Sequence, residues 1–77
     1  MVSRLVEYHI QRLKDKDPNV RLRAINELRL LGDPAALPAL EQVFRNDSAP
    51  EVRKAAQRAG REIYEKSISA RGDKKTE

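Results

Sequence analysis

The sequence predicts an all-α fold, an α-α superhelix made of two helical hairpins with four helices. Three observations carry this prediction. Apolar residues recur with the 3.6-residue period of helices, aspartate-proline pairs mark helix starts, and the second half of the chain repeats the first. With 77 residues the chain can form one domain at most, with a small core. A solenoid of stacked hairpins is therefore the expected architecture.

An amphipathic stripe predicts the first helix. At 100° per residue, one arc of this helix collects the following residues: Val2, Leu5, Val6, His9, Ile10 and Leu13. We expect His9 to be packed with a hydrogen bond, or to lie at an oligomer interface, rather than to bind a cofactor. The charged run at 14–17 ends the stripe.

The second helix is delimited by its punctuation. Asp17 is placed to cap it, Pro18 suits its first turn, and Gly32 supplies a left-handed stop after Leu31. Its predicted buried arc consists of Val20, Ala24, Leu28 and Leu31.

A third helix is expected from Pro34, with a bend near its start because Pro38 removes a backbone hydrogen bond. Its apolar residues are Leu37, Leu40, Val43 and Phe44. The fourth helix opens at Pro50, and its buried side is marked by Val52, Ala56, Ala59 and Ile63. Gly60 inside that helix suggests the close approach of a neighbouring helix, or tolerance at a cost of about 1 kcal/mol relative to alanine.

An internal repeat relates the two halves at an offset of 32. The matched pairs are Pro18 with Pro50, Val20 with Val52, Arg21 with Arg53, Ala24 with Ala56, and Leu31 with Ile63. We therefore predict two repeats within residues 1–66, at about 2–32 and 34–66. Residues 67–77 contain one sizeable apolar residue, Ile68, and are expected to form a disordered polar tail.

The segment 13–40, LKDKDPNVRLRAINELRLLGDPAALPAL, closely resembles the HEAT repeat of the phycobilisome-lyase-like class. It meets the pattern D-P-x-V-R-x-x-A-x-x-x-L-x-x-L-G-D-P-x-A-L-P-x-L throughout. The resemblance implies an adaptor or scaffold, and in some members a lyase subunit or assembly helper. It also implies that Arg21 and Arg53 tie neighbouring repeats together through acidic turn residues, for which Asp17 and Asp47 are candidates.

Composition argues against catalysis. The chain has no cysteine and one histidine, so it offers no thiolate nucleophile and no convergent set of metal ligands. No enzyme activity, metal or cofactor is expected. The first residues mix charged and apolar side chains, which is untypical of a signal peptide or a membrane span, so a cytoplasmic protein without a membrane partner is predicted.

The predicted function is that of a small non-catalytic adaptor or scaffold that binds another protein, or associates with itself as a homodimer, because open solenoid ends need covering. Leucines directed away from the predicted core, with flanking polar residues, provide the candidate contact patch on the second helix. The predicted partner-binding residues are Leu22, Arg23, Asn26, Arg29 and Leu30 on the second helix, and Lys54, Arg58 and Arg61 on the fourth.

Two alternatives remain open at this stage. Sixteen Lys and Arg against twelve Asp and Glu give a net charge of +4, which allows weak nucleic-acid or phosphate binding through a basic helical face. Possible i,i+4 ion pairs and the scarcity of aromatic residues disfavour nucleic acid as the partner. These pairs are Arg23 with Glu27, Arg29 with Asp33, Arg58 with Glu62, and Arg61 with Glu65. The other alternative is a non-catalytic subunit of a lyase-like assembly factor.

Overall fold

A computed structural model describes residues 3–70 of the chain, and this part is all helical. The α-helices are α1 (Arg4–Arg12), α2 (Pro18–Leu31), α3 (Leu37–Asn46) and α4 (Pro50–Ala70), with a 3-10 turn at Pro34–Ala36. Helix α1 packs on α2 and α3 packs on α4, so each pair forms a hairpin. The two hairpins meet through α2 and α4. The predicted all-α fold of two helical hairpins is confirmed.

Local sequence signals fix the ends of α2 as expected. The Asp17 carboxylate accepts a hydrogen bond of 2.9 Å from the backbone N–H of Asn19, which caps the helix start. At the other end Gly32 has φ of 68°, and its N–H donates to the carbonyl of Leu28. Because this left-handed conformation is costly for residues with a Cβ, glycine is the natural residue there.

The start of the second hairpin differs from the prediction. Instead of one bent helix from Pro34, the chain forms the 3-10 turn and then begins α3 at Leu37. Pro38 therefore lies in the first turn of α3, where its missing N–H would have had no helical partner. The second proline thus opens a new helix and does not bend an existing one.

The core lies between the two hairpins and within each of them. Its buried apolar residues are Val6, Leu13, Ala24, Ile25, Leu28, Ala36, Leu40, Val52, Ala56, Ala59 and Ile63. All four residues predicted for the buried side of α4 are among them. On α2 the prediction was partly wrong, because Leu31 is 40% exposed and Ile25, which was not in the predicted arc, is buried. Leu5 and Phe44, which belong to the apolar stripes of the first and third helices, are 51% and 39% exposed.

Helix α4 continues past the predicted domain end. It includes residues 67–70, which the sequence analysis assigned to the disordered tail. The rest of that tail, 71–77, lies outside the described residues, as does Val2 of the predicted first arc.

Candidate protein-binding surfaces

A bidentate ion pair joins the two hairpins. Arg21 of α2 donates from Nε to Asp47 Oδ2 at 2.8 Å and from Nη2 to Asp47 Oδ1 at 3.0 Å. The two side chains are only 11% and 6% exposed, so solvent screens the pair weakly. Asp47 lies in the turn between α3 and α4. The contact therefore fixes the start of α2 against the turn of the next hairpin.

The surroundings of Asp47 hold it in its charged form. Burial opposes ionisation, but the Ala49 backbone N–H donates to Oδ1 at 2.9 Å and Arg21 contributes hydrogen bonds and charge. The charge of Arg53 adds to this effect, and the pKa of Asp47 falls below the usual aspartate value. The ion pair is thus formed at neutral pH.

The third donor of Arg21 points back into its own hairpin. Its Nη1 donates to the backbone carbonyl of Asp15 at 2.7 Å. Arg53 repeats this contact one hairpin later, since its Nη1 donates to the carbonyl of Asp47, also at 2.7 Å. Asp15 is thus the repeat equivalent of Asp47. From the sequence, Asp17 was named besides Asp47 as a candidate acidic partner of the two arginines. The Asp17 carboxylate instead caps α2. The offset of 32 between positions 15 and 47 was the signal that could have found this.

A second polar contact crosses the joint between the hairpins. Arg29 Nη1 lies 3.4 Å from Glu62 Oε1. The Nη2 atom of Arg29 also donates to the side-chain oxygen of Asn26 at 2.8 Å. Beneath these polar groups Leu28 is fully buried. The face of α2 that meets the second hairpin therefore combines two arginines with an apolar centre.

Six of the predicted partner-binding residues lie side by side on α2 and α4, and we call them the α2–α4 face. They are Leu22, Asn26, Arg29, Lys54, Arg58 and Arg61, and they form three pairs related by the repeat. A shallow groove of about 130 Å³ between the helices is lined by Leu22, Asn26 and Arg29 from α2 and by Arg58 from α4. Lys54, Arg58 and Arg61 line a neighbouring groove of about 380 Å³.

The other two predicted residues, Arg23 and Leu30, line neither of these two grooves. Arg23 lines a groove between α1 and α2, which it shares with His9 and Arg12 and also with Leu22 and Asn26 of the α2–α4 face. Leu30 is 61% exposed, and Leu22, which was expected to be unnecessary for packing, is half-buried against the core. Of the two leucines, Leu30 is therefore the more exposed to a partner.

The cationic side chains of the α2–α4 face are not neutralised by carboxylates of the helix to which each belongs. None of the four predicted i,i+4 ion pairs occurs within residues 3–70, and the one such pair found there joins Glu41 to Arg45 on α3. Arg29 reaches across to Glu62 instead. In the described part of the chain, Lys54, Arg58 and Arg61 have no carboxylate partner.

An apolar groove between α3 and α4 is the feature that sequence reasoning missed. It has a volume of about 330 Å³ and is lined mainly by apolar side chains, with Glu41, Gln57 and Arg61 at its margins. The apolar lining consists of Leu37, Leu40, Phe44, Ala56, Gly60 and Tyr64. Gly60 was expected either to permit the close approach of a neighbouring helix or to be tolerated at a cost. A Cβ there would meet no atom within 4 Å among the described residues, so no close approach requires the glycine. The glycine leaves the groove open.

His9 is explained by packing. Its ring is buried, Nδ1 lies 3.2 Å from Arg12 Nη1, and the ring meets Tyr8 edge-on with centroids 5.0 Å apart. Because the arginine can only donate, Nδ1 accepts this hydrogen bond. Within residues 3–70 no cluster of three or more potential metal ligands occurs, and no helix there has the length and apolar character needed to span a membrane.

Comparison of the sequence with known protein families identifies the family of this chain. The sequence model of the HEAT repeats matches residues 3–60, which is more than half of the chain. The chain belongs to the HEAT-repeat family. HEAT repeats commonly mediate protein–protein interaction, and proteins built from them are generally non-catalytic scaffolds. No curated protein and no solved structure matches the chain.

Proposed function

We propose that this chain is a small non-catalytic adaptor or scaffold whose α2–α4 face binds an acidic segment of another protein. The observation that carries the proposal is the row formed by Lys54, Arg58 and Arg61, whose charges no carboxylate neutralises in the described part of the chain. Long cationic side chains on successive turns of one helix attract an acidic partner and set its orientation.

The groove beside this row supports a protein partner rather than a bare polyanion. The groove has an apolar floor, formed by Leu22, Ile25, Ala55 and Ala59, and a polar rim, formed by Asn26 and Arg29. Interfaces between proteins combine an apolar centre with a polar margin in this way. The matching ligand is a peptide segment with one apolar side chain next to two or more carboxylates.

Selection of peptides from a random library on the immobilised chain tests this proposal. We expect the enriched peptides to combine acidic residues with a neighbouring apolar residue. The paired substitutions Lys54→Glu and Arg58→Glu should weaken their binding about tenfold or more, because they reverse the attracting charge. The matched control is the pair Lys14→Glu and Lys16→Glu, in the turn between α1 and α2, which should change the affinity by less than about twofold. Enrichment of peptides without carboxylates would contradict the proposal.

Weak nucleic-acid or phosphate binding is the second candidate, and the same unpaired cations favour it. None of the six residues of the α2–α4 face is aromatic, so the face offers no platform for base stacking. Fluorescence anisotropy with single-stranded and duplex oligonucleotides, measured across salt concentrations, separates the candidates. Affinity above that for the selected peptides, with a steep linear fall against the logarithm of salt concentration, would favour nucleic acid.

The motif of residues 13–40 supports a third candidate, a non-catalytic subunit of a lyase-like assembly factor of the phycobilisome-lyase-like class. Such a subunit would be required for chromophore attachment without supplying a nucleophile. A reconstituted transfer reaction, performed with and without this chain, tests that role.

A further inference from the structure

Arg53 and Asp15 are the repeat equivalents of Arg21 and Asp47, which form the ion pair between the hairpins. Neither Arg53 nor Asp15 forms an ion pair among the described residues. Arg53 repeats Arg21, with Nη1 bound to a turn carbonyl in the same way. No carboxylate pairs with Arg53 among residues 3–70, whereas Arg21 is held by Asp47. The Nε and Nη2 donors of Arg53 correspond to the two that Arg21 uses to bind that aspartate.

Asp15 supplies the complementary half. Its Oδ1 accepts the Asp17 backbone N–H at 2.8 Å, as Asp47 Oδ1 accepts the Ala49 N–H at 2.9 Å. The two carboxylates are therefore held by the same kind of turn, at positions 32 residues apart. Asp15 is exposed, and no guanidinium contacts its carboxylate within the described range.

The surface of α4 around Arg53 is the repeat equivalent of the α2 surface that is buried between the two hairpins. The face of α2 that meets the second hairpin presents Arg21, Ile25, Leu28 and Arg29. The equivalent residues of α4 are Arg53, Gln57, Gly60 and Arg61. The last three line the open α3–α4 groove, and Arg53 lies one helical turn before them on the same side of α4.

We propose that a second copy of this chain stacks head to tail on the α3–α4 groove, with its Asp15 bound by Arg53. The second copy brings the required carboxylate already fixed in the conformation seen in the internal ion pair. It also brings exposed Leu30, the repeat equivalent of Glu62. By analogy with the Arg29–Glu62 contact, Leu30 lies beside Arg61 at the edge of the apolar groove.

Charge decides against packing the same groove face to face. In a two-fold arrangement of this groove both copies would bring Arg53 and Arg61 into the interface and neither would bring Asp15, so Arg53 would lack the carboxylate that its repeat equivalent Arg21 has. The head-to-tail contact pairs unlike charges and leaves one Asp15 and one Arg53 free at the ends. It therefore forms open chains that lengthen with concentration, rather than the closed homodimer that the sequence suggested.

Charge exchange at the two positions tests this contact by sedimentation velocity across concentration. The original chain should show a mass that rises with concentration. Arg53→Asp and Asp15→Arg each place like charges in the contact and should each sediment as a monomer. An equimolar mixture should associate again. In that mixture the carboxylate introduced at position 53 of one variant faces the guanidinium introduced at position 15 of the other, and the two unchanged side chains also form an unlike pair. Circular dichroism checks that both variants are helical.

A second variant covers the case in which Arg53→Asp fails to fold. Tyr64→Glu places a carboxylate on an exposed position of the groove and leaves both ionic partners intact. It should weaken self-association at least about tenfold, because a charge would enter the apolar contact. The control Lys54→Glu lies on the α2–α4 face and should leave self-association unchanged, so failure here is separable from failure of acidic-peptide binding. A constant monomer mass of the original chain, or a folded variant mixture that does not associate, would overturn the proposal.

Discussion

Arg21 and Arg53 occupy equivalent positions in the two hairpins, yet their surroundings differ. Arg21 is held by the carboxylate of the next hairpin, and the surface beside it is filled by Leu28, which is fully buried. Arg53 keeps only the contact to its own turn, and Gly60 stands where the first hairpin has Leu28. The second hairpin completes the joint that begins at Arg21, whereas no carboxylate among residues 3–70 pairs with Arg53.

The largest effect is expected inside the closed joint. Leu28→Ala should reduce the free energy of unfolding by about 3 to 5 kcal/mol, because it removes a fully buried side chain and leaves a cavity. Leu30→Ala, two positions further on the exposed side of the same helix, should cost less than about 1 kcal/mol. Urea denaturation followed by circular dichroism measures both, and equal losses would contradict the assignment of Leu28 to the core face of α2.

The two arginines provide a closer comparison. Arg21→Ala should cost about 3 kcal/mol, because it leaves the Asp47 carboxylate buried without its ion-pair partner. Arg53→Ala removes one hydrogen bond to a carbonyl and should cost about 1 kcal/mol. Asp47→Ala combined with Arg21→Ala completes a double-mutant cycle. Losses that simply add would mean that the ion pair contributes nothing to the joint between the hairpins.

Substitutions of Gly32 and Gly60 give the smallest effects, and these have opposite signs. Gly60→Ala should stabilise the monomer by about 0.5 to 1 kcal/mol, since alanine is the better helix former and its Cβ enters open space. Gly32→Ala should destabilise it by about 1 kcal/mol, because φ of 68° is strained for alanine. Thermal unfolding at a concentration too low for association measures both. Loss of stability in the Gly60 variant would indicate that the groove is closed.

Much of the fold could be predicted because its signals are local. Asp17 and Gly32 mark the ends of α2 by hydrogen bonding and backbone conformation alone, and the structure has them there. The buried side of α4 was also predicted, since alanine and β-branched residues recur on it with the helical period. Periodicity predicted the buried face of α2 less well, because leucines lie on both its buried and its exposed sides. It assigned Leu31 to the core in place of Ile25, because the direction of a face depends on the neighbouring hairpin.

The candidate sites were less predictable than the fold. The sequence interpretation assigned Arg58 and Arg61 to neighbouring glutamates at i+4, whereas the structure leaves them unpaired in its described part. An exposed i,i+4 pair is worth only about 0.3 to 0.5 kcal/mol, so competing side-chain conformations readily replace it. The α3–α4 groove was missed because the residue pattern of a single helix does not show how much space is left between two packed helices.

By itself the sequence determined the helix boundaries of α2, the all-α class, the internal repeat and the membership in a solenoid family. These follow from capping, periodicity and self-similarity, which act over a few residues or can be read by alignment. Tertiary structure alone decided that Arg21 binds Asp47 across the hairpins, that Arg29 reaches Glu62, and that Gly60 opens a groove. Their physical basis is the relative placement of two hairpins, which depends on how all the side chains between them pack.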